Sequence, residues 1–257
     1  MPSLNLQLMI TTAKARYAST VVKPRPPQPG PPSLGRGGAP LARAPQLVPS
    51  GSDPNRGALI EPLCKAVCAA HDQWRQQASF RDVKINGPTA TGGKLQGPDL
   101  APLIRANLGT AGTGSAKKYG EAVAAGLGEA WTEFQATFTV PGLPWYPSFV
   151  AVPAPMAPPT PNVPTPLSTC AHNPSLVSAS ALKARMDRKL PGSDPDDARL
   201  LQAIAEGFQL AVTHWLPTQQ VMNVLGTGSV PTFAPPYVPV GPVVMGDNVP
   251  TPGHLLT

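Results

Sequence analysis

The stretch Tyr119-Gly-Glu-Ala-Val-Ala-Ala-Gly-Leu-Gly-Glu-Ala-Trp-Thr-Glu-Phe134 carries its apolar residues at the spacing of one face of an α-helix. The same spacing recurs, without a gap, in the stretches that end at Trp74 and Trp215. Each stretch holds small residues at two positions four apart, which would let another helix approach closely, and each closes on an aromatic residue. Any amphipathic helix could fit so short a template. The three predicted helices span 57–79, 115–135 and 196–216.

The segments that follow two of these helices give stronger evidence of repetition. Asn162-Val-Pro-Thr-Pro166 recurs unchanged as Asn248-Val-Pro-Thr-Pro252, and Pro147-Ser-Phe149 is matched by Pro231-Thr-Phe233. We therefore expect two clear repeats, with a degenerate third before them. If the repeats are real, three equivalent alanines should lie at close helix contacts: Ala70, Ala130 and Ala211.

These patterns predict a mainly α fold with extensive irregular, extended Pro-rich segments and a few short strands, built from internally repeated helix-plus-arm units. A fourth, short helix is predicted over 176–189. Leu4-Asn-Leu-Gln-Leu8 alternates with period two, and Ile10 keeps the phase, which favours a strand. The predicted divisions are a basic Pro/Gly-rich arm at 1–56, a degenerate first repeat at 57–110, a second repeat at 111–175, and a linker helix with the third repeat at 176–257.

The charge distribution indicates how the proline-rich segments are used. The chain contains 36 prolines and 24 glycines, but only 13 % of its residues are charged. No Asp, Glu, Lys or Arg occurs from Phe134 to Leu182, and Asp247 is the only one from Gly207 onward. Such stretches are too apolar to stay solvated, and proline interrupts them too often for a membrane span, so we expect extended backbone buried against protein. Five aromatic residues are predicted to bind a partner: Trp145, Tyr146, Phe149, Phe233 and Tyr237.

The net charge of +6 comes from the N-terminal arm, because residues 1–52 contain no acid. A basic arm can contact nucleic acid phosphate or an acidic protein surface, can direct import into an organelle, or can be a solvated tail. The strand-like alternation before Lys14 weighs against an import helix. The basic residues of the arm are Lys14, Arg16, Lys23, Arg25, Arg36 and Arg43.

One group of residues could in principle hold a metal. Cys64, Cys68 and His71 share one helical face, and Cys170 with His172 could complete a tetrahedral zinc site. The usual CxxC spacing is absent, however, and His71 stands at a repeat position that Trp or Val occupies elsewhere. We therefore expect reduced, metal-free, structural cysteines and no cofactor.

Other candidate chemistry is weak. The stretch from Gly87 to Lys94 resembles a phosphate loop but misplaces its first glycine, and Leu95 stands where Ser or Thr should hold magnesium. A turn is the preferred interpretation. Asp194-Pro-Asp-Asp197 is better explained as the N-terminal cap of the last helix than as a pair of catalytic carboxylates. No nucleophile motif is present, so an enzyme is not expected.

The sequence thus favours a non-enzymatic structural or assembly subunit of a large multi-protein particle, such as a virion, a phage-tail-like particle or a capsid-associated structure. Its partners would be other protein subunits or copies of itself, and not a membrane. An accessory subunit of a mitochondrial complex with a basic targeting segment is the alternative. A metal-dependent enzyme is the third possibility.

Overall fold

The computed structural model describes residues 3–19, 54–146, 156–190, 192, 194–230 and 243–255. It contains four 3₁₀ turns, at Gly109–Gly112, Gly114–Ala116, Leu167–Thr169 and Pro174–Val177, beside the regular elements. The helices are α1 (Leu6–Ser19), α2 (Pro54–Gly57), α3 (Ile60–Gln77), α4 (Leu100–Asn107), α5 (Lys117–Ala136), α6 (Ala179–Lys189) and α7 (Pro195–Thr218). The strands are β1 (Ser79–Asn86), β2 (Thr89–Gln96), β3 (Val140–Leu143), β4 (Met156–Thr160), β5 (Thr165–Pro166), β6 (Gln220–Val221), β7 (Gly226–Ser229) and β8 (Val244–Asn248).

The fold is mixed α/β, and the prediction of a mainly α chain with extended Pro-rich arms is wrong. Six strands form one antiparallel sheet in the order β3-β2-β1-β8-β7-β4, and β5 pairs with β6. Much of the charge-poor sequence belongs to this sheet. The segment after α3 pairs with the segment after α7, since Lys84 lies opposite Asp247 and Ile85 lies opposite Gly246. The sheet thus joins parts of the chain that are far apart in sequence.

The strand expected over Leu4–Ile10 is also wrong, because this stretch begins helix α1. The Asn5 side chain accepts a hydrogen bond from Leu8 N (2.9 Å), which caps the first turn. Met9, Ile10, Ala13 and Tyr17 then fall on one buried face. Tertiary packing of this face overrides the local alternation, which was accidental.

Six helices contact one another in a closed ring, in the order α1, α7, α6, α5, α4, α3 and back to α1. The four helices predicted from the sequence are present as α3, α5, α6 and α7. Close contacts are made at glycines, since a Cβ on Gly207 would lie 2.8 Å from Met9 O and a Cβ on Gly126 would lie 2.8 Å from Met186 N. Ala70, Ala130 and Ala211 are all fully buried.

The chain makes the same kink after each of the three long helices. Asp82, Gly142 and Asn223 stand at one constant offset from the aligned helix positions, and their φ angles are 59°, 91° and 60°. The left-handed backbone conformation is unfavourable for most residues but is accessible to Gly, Asn and Asp. The strand that enters the sheet after α3, α5 and α7 is therefore redirected at an equivalent place.

Candidate interaction surface

Two of the five aromatic residues predicted to bind a partner are already covered by their own chain. Trp145 and Tyr146 are 1 % and 2 % exposed. The Trp145 ring packs edge-on against Phe80, with 5.6 Å between ring centroids, and the Tyr146 hydroxyl donates to Val224 O (3.0 Å). These contacts correct the prediction that both side chains are left for other subunits. The other three residues, Phe149, Phe233 and Tyr237, lie outside the described residues.

Two long connections between strands each have one described end beside the turn that joins β1 to β2. The connection from β3 to β4 contains residues 147–155, and the connection from β7 to β8 contains residues 231–242. Tyr146 N donates to Pro88 O (3.0 Å), and Gly87 N donates to Val243 O (2.7 Å). Both connections are thus anchored against the tight turn that joins β1 to β2.

Exposed apolar side chains lie at this same end of the sheet. Met156 is 50 % exposed and Met245 is 89 % exposed. Each stands just after one of the long connections, and Ser229 pairs with Met156 on one side and with Val244 on the other. We refer to Met156, Met245 and the sheet end between them as the methionine end. Sequence reasoning missed both methionines, although their position beside the apolar segments could have indicated them.

Met245 also has an unusual backbone. Its φ is 50°, in the left-handed region that a long side chain rarely adopts, at a cost of about 1–2 kcal/mol. Because the Met245 side chain is exposed, its burial within the chain does not offset this cost. Strained, exposed residues of this kind are concentrated at functional sites.

The first two residues of the predicted basic arm form ion pairs with other helices of the chain. Lys14 and Arg16 lie on α1, where Lys14 Nζ is 3.2 Å from Glu61 Oε2 and Arg16 Nε is 2.9 Å from Glu206 Oε2. These ion pairs join α1 to α3 and to α7. Lys23, Arg25, Arg36 and Arg43 lie outside the described residues. The strand-like alternation before Lys14 was the argument against an import helix, and it no longer holds because this stretch is helical. The buried face of α1 nevertheless packs this helix into the folded body.

The residues considered for a metal are separated into different environments. His71 is fully buried among three tryptophans, with ring centroids 5.4 Å from Trp74, 5.0 Å from Trp131 and 4.6 Å from Trp215. Among the residues that the structure describes, neither His71 ring nitrogen has a hydrogen-bond partner. Burial, together with the nearby charge of Arg75, lowers the pKa of His71 to about 3. His71 is therefore a neutral packing residue at the centre of the helices.

The cysteines are buried and unpaired. Cys68 Sγ contacts Met9 Sδ at 3.8 Å, and burial raises the pKa of Cys64, Cys68 and Cys170 to about 12. The His172 ring stacks on Phe138, with 5.0 Å between centroids. Within the described parts of the chain, no cluster of three or more His, Cys, Asp or Glu residues could hold a metal ion.

The cluster of acids before α7 has the structural role predicted for it. Asp194 accepts hydrogen bonds from the backbone of Asp196 and Asp197, and Asp197 completes a capping box, so the predicted helix cap is confirmed. Arg56 Nε lies 2.9 Å from Asp197 Oδ1 and donates to the Tyr119 hydroxyl (3.1 Å). This network attaches α2 to the start of α7 and to α5.

The stretch that resembles a phosphate loop is a β-hairpin. Gly87 and Pro88 form the turn between β1 and β2, and the residues up to Lys94 belong to β2. The preferred interpretation as a turn is confirmed, and no helix follows whose N-terminus could receive a phosphate at this point.

In the described ranges, no helix is both long enough and apolar enough to cross a membrane. Comparison of the chain with protein-family models, with curated proteins and with solved structures finds no match.

Proposed function

We propose that this chain is a non-enzymatic structural or assembly subunit of a large multi-protein particle, and that it binds neighbouring subunits at the methionine end. The particle would be a virion, a phage-tail-like structure or a capsid-associated structure. The observation that carries the proposal is that the residue flanking each of two charge-free segments is bonded to one turn, through Tyr146 N to Pro88 O and Gly87 N to Val243 O.

The chemistry of the two segments suits a protein partner. Residues 147–155 and 231–242 contain no charged residue, and they include Phe149, Phe233 and Tyr237. Proline has no backbone N–H and a fixed φ, so proline-rich backbone loses little entropy when it docks. Met156 and Met245 extend the apolar area onto the sheet itself, and exposed methionine adapts readily to a partner surface.

Because Trp145 and Tyr146 are buried in their own chain, fewer of the predicted residues remain to bind a partner. These residues support the segments from within the chain, so the partner contacts are assigned to the remaining aromatic residues and to the two methionines. Deletion of residues 217–257 would not test the proposal, because β7 and β8 would be lost, and with them the partners of β1 and β4. Point substitutions are the appropriate test.

Cross-linking mass spectrometry on the native particle tests the proposal. Lys84 is exposed, forms an ion pair with Asp247 and can report on the methionine end. We expect cross-links from Lys84 to another subunit, and we expect Met245→Lys to reduce incorporation into the particle at least several-fold. Thr132→Lys, which adds the same charge on an exposed face of α5, is the matched control.

A chain purified from its source as a monodisperse monomer, with Lys84 linked only within its own chain, would contradict the proposal. Equal incorporation of the Met245→Lys and Thr132→Lys chains would contradict the location of the binding surface.

A further inference from the structure

Helix α1 packs between α3 and α7, in a position that we call its seat. Helices α4 and α6 hold the corresponding positions in the ring, but α1 is connected to the rest of the chain differently. In the ring, α4 lies between α3 and α5, and α6 lies between α5 and α7. Residues 97–99 are enough to connect β2 to α4. Residues 20–53, by contrast, separate α1 from α2. The counterparts are held by short connections, whereas α1 is joined by a long one.

The contacts that hold α1 are made by its own face. Met9 supplies two of them, with its carbonyl against Gly207 and its sulfur 3.8 Å from Cys68 Sγ. Ile10, Ala13 and Tyr17 are buried on the same side. All these contacts belong to residues within α1, so any copy of this helix presents the same complementary surface.

The charges on α1 fix its register in the seat. Lys14 pairs with Glu61 on α3, and Arg16 pairs with Glu206 on α7, so the helix carries one cation for each wall. Exposed pairs of this kind add at most about 1 kcal/mol each, but they select one orientation. An arriving α1 would therefore dock in the same direction as the resident one.

The connection is much longer than the gap it closes. A Cβ on Gly57, in α2, would lie 3.3 Å from Tyr17 Cε1, so the helices on either side of residues 20–53 are in contact. A linker longer than its span gives its helix an effective concentration of about millimolar, which falls as the linker lengthens. A second copy at a comparable concentration can therefore compete with the resident helix for the same contacts.

We propose that α1 exchanges between copies of this chain, so that the seat between α3 and α7 accepts α1 from a second copy. Exchange requires no new contact, because the donated helix reproduces the contacts of the resident one. The proposal concerns α1 alone and does not involve the methionine end. It can hold whether or not that surface binds another subunit.

A pair of complementary cysteine variants tests the exchange in the full chain. One copy carries Lys14→Cys and a size tag, and the other carries Glu61→Cys. The two side chains are 52 % and 45 % exposed, so the substitutions should not disturb folding. The copies are refolded together at about millimolar concentration and then treated with a short bis-maleimide, because the ion pair joins the ends of two long side chains and the shorter cysteines need a spacer between them. We expect a covalent dimer of one copy of each kind, which becomes rarer on dilution.

The matched control pairs the Lys14→Cys copy with an Asp99→Cys copy, because Asp99 is exposed but lies at the start of α4. We expect at least about tenfold more dimer with Glu61→Cys than with this control. Equal yields would overturn the exchange. A single chain with both Lys14→Cys and Glu61→Cys should be cross-linked internally by the same reagent on dilution, and failure to do so would overturn the proposed seat and the exchange with it.

Discussion

Asn162 and Asn248 make equivalent hydrogen bonds at two different places in the fold. The Asn162 amide donates to Val221 O (3.0 Å), while its Oδ1 accepts from Val224 N (2.9 Å). Each asparagine is the first residue of one copy of the repeated Asn-Val-Pro-Thr-Pro sequence.

The second set of bonds spans an equivalent stretch of chain. The Asn248 amide donates to Phe80 O (2.8 Å), and its Oδ1 accepts from Val83 N (2.9 Å). Between the bonded residues lie the kinks at Asp82 and Asn223, where φ is positive. Pairing between strands is interrupted at such a kink. The side-chain amide therefore supplies the hydrogen-bond partners for the backbone groups that the interruption leaves unpaired.

Substitution of either asparagine should therefore be strongly destabilising. Asn162→Ala and Asn248→Ala each leave a buried backbone N–H and C=O without partners, which should lower the free energy of unfolding by about 2–3 kcal/mol. Urea unfolding followed by tryptophan fluorescence measures the change. Asn86→Ala, at an exposed position of β1, is the control and should cost under about 0.5 kcal/mol. Equal effects at all three positions would show that the amides do not hold the kinks.

The helices could be predicted because their signal is local. In α3, α5 and α7 the apolar stripe of each helix contains enough turns to define the 3.6-residue period. The sheet could not be predicted in this way. Strand β3 has the sequence Val140-Pro-Gly-Leu143 and β4 has Met156-Ala-Pro-Pro-Thr160, and neither alternates. Their strand character comes from partners distant in the sequence.

The candidate surface was predicted only in part, for a related reason. Composition alone indicated that the charge-free segments pack against protein, but it could not distinguish the chain's own sheet from a neighbour. Trp145 and Tyr146 pack within the chain, because they stand immediately after β3. The exposure of Met245 depends on its position in the fold, and no local pattern predicts it.

The close approach of α1 to α7 should be sensitive to a single methyl group. Gly207→Ala places Cβ 2.8 Å from Met9 O, which is backbone and cannot move without shifting α1. Alanine favours helix by about 1 kcal/mol over glycine, but the steric conflict should outweigh that gain. We expect faster hydrogen exchange in α1, with little change in the interior of α5.

The matched control for this substitution is Gly126→Ala, whose Cβ would lie 2.8 Å from Met186 N on α6. It should accelerate exchange in α6 and leave α1 protected. Unchanged protection of α1 in the Gly207→Ala chain would mean that the helix tolerates displacement from its seat.

Buried His71 should make stability depend on pH. Its pKa is lowered to about 3 by burial, and in the unfolded chain it should return to about 6.5. Below pH 6.5 the unfolded chain therefore binds a proton at His71 that the folded chain does not bind. The free energy of unfolding consequently falls as the pH falls towards 3. His254, whose burial lowers its pKa to about 4, acts in the same direction.

Replacing His71 by phenylalanine should remove its share of this dependence. Between pH 6.5 and 5 the wild-type chain should lose about 2 kcal/mol more unfolding free energy than the His71→Phe chain. Urea unfolding at several pH values measures the difference. Parallel curves for wild type and His71→Phe would mean that His71 is not excluded from protonation.

Arg56 neutralises the carboxylate of Asp197 at the start of α7. Asp197 is 2 % exposed and lies 2.9 Å from Arg56 Nε, and it also accepts from the Tyr119 hydroxyl at 2.6 Å. Removing the guanidinium leaves a buried charge without its main counterion and releases α2 from α7. Since the Arg56 side chain is 20 % exposed, the cost of Arg56→Ala should be about 2–3 kcal/mol, less than for a fully buried pair.

A second cation near the same carboxylate provides the control. Lys118 Nζ is 3.3 Å from Asp197 Oδ2, but its side chain is 52 % exposed, so Lys118→Ala should cost under about 1 kcal/mol. Thermal and urea unfolding of both variants measure the difference. If the two substitutions cost the same, the guanidinium is not the main counterion of Asp197. The hydroxyl of Tyr119 and the capping hydrogen bonds would then be sufficient to hold that carboxylate in place.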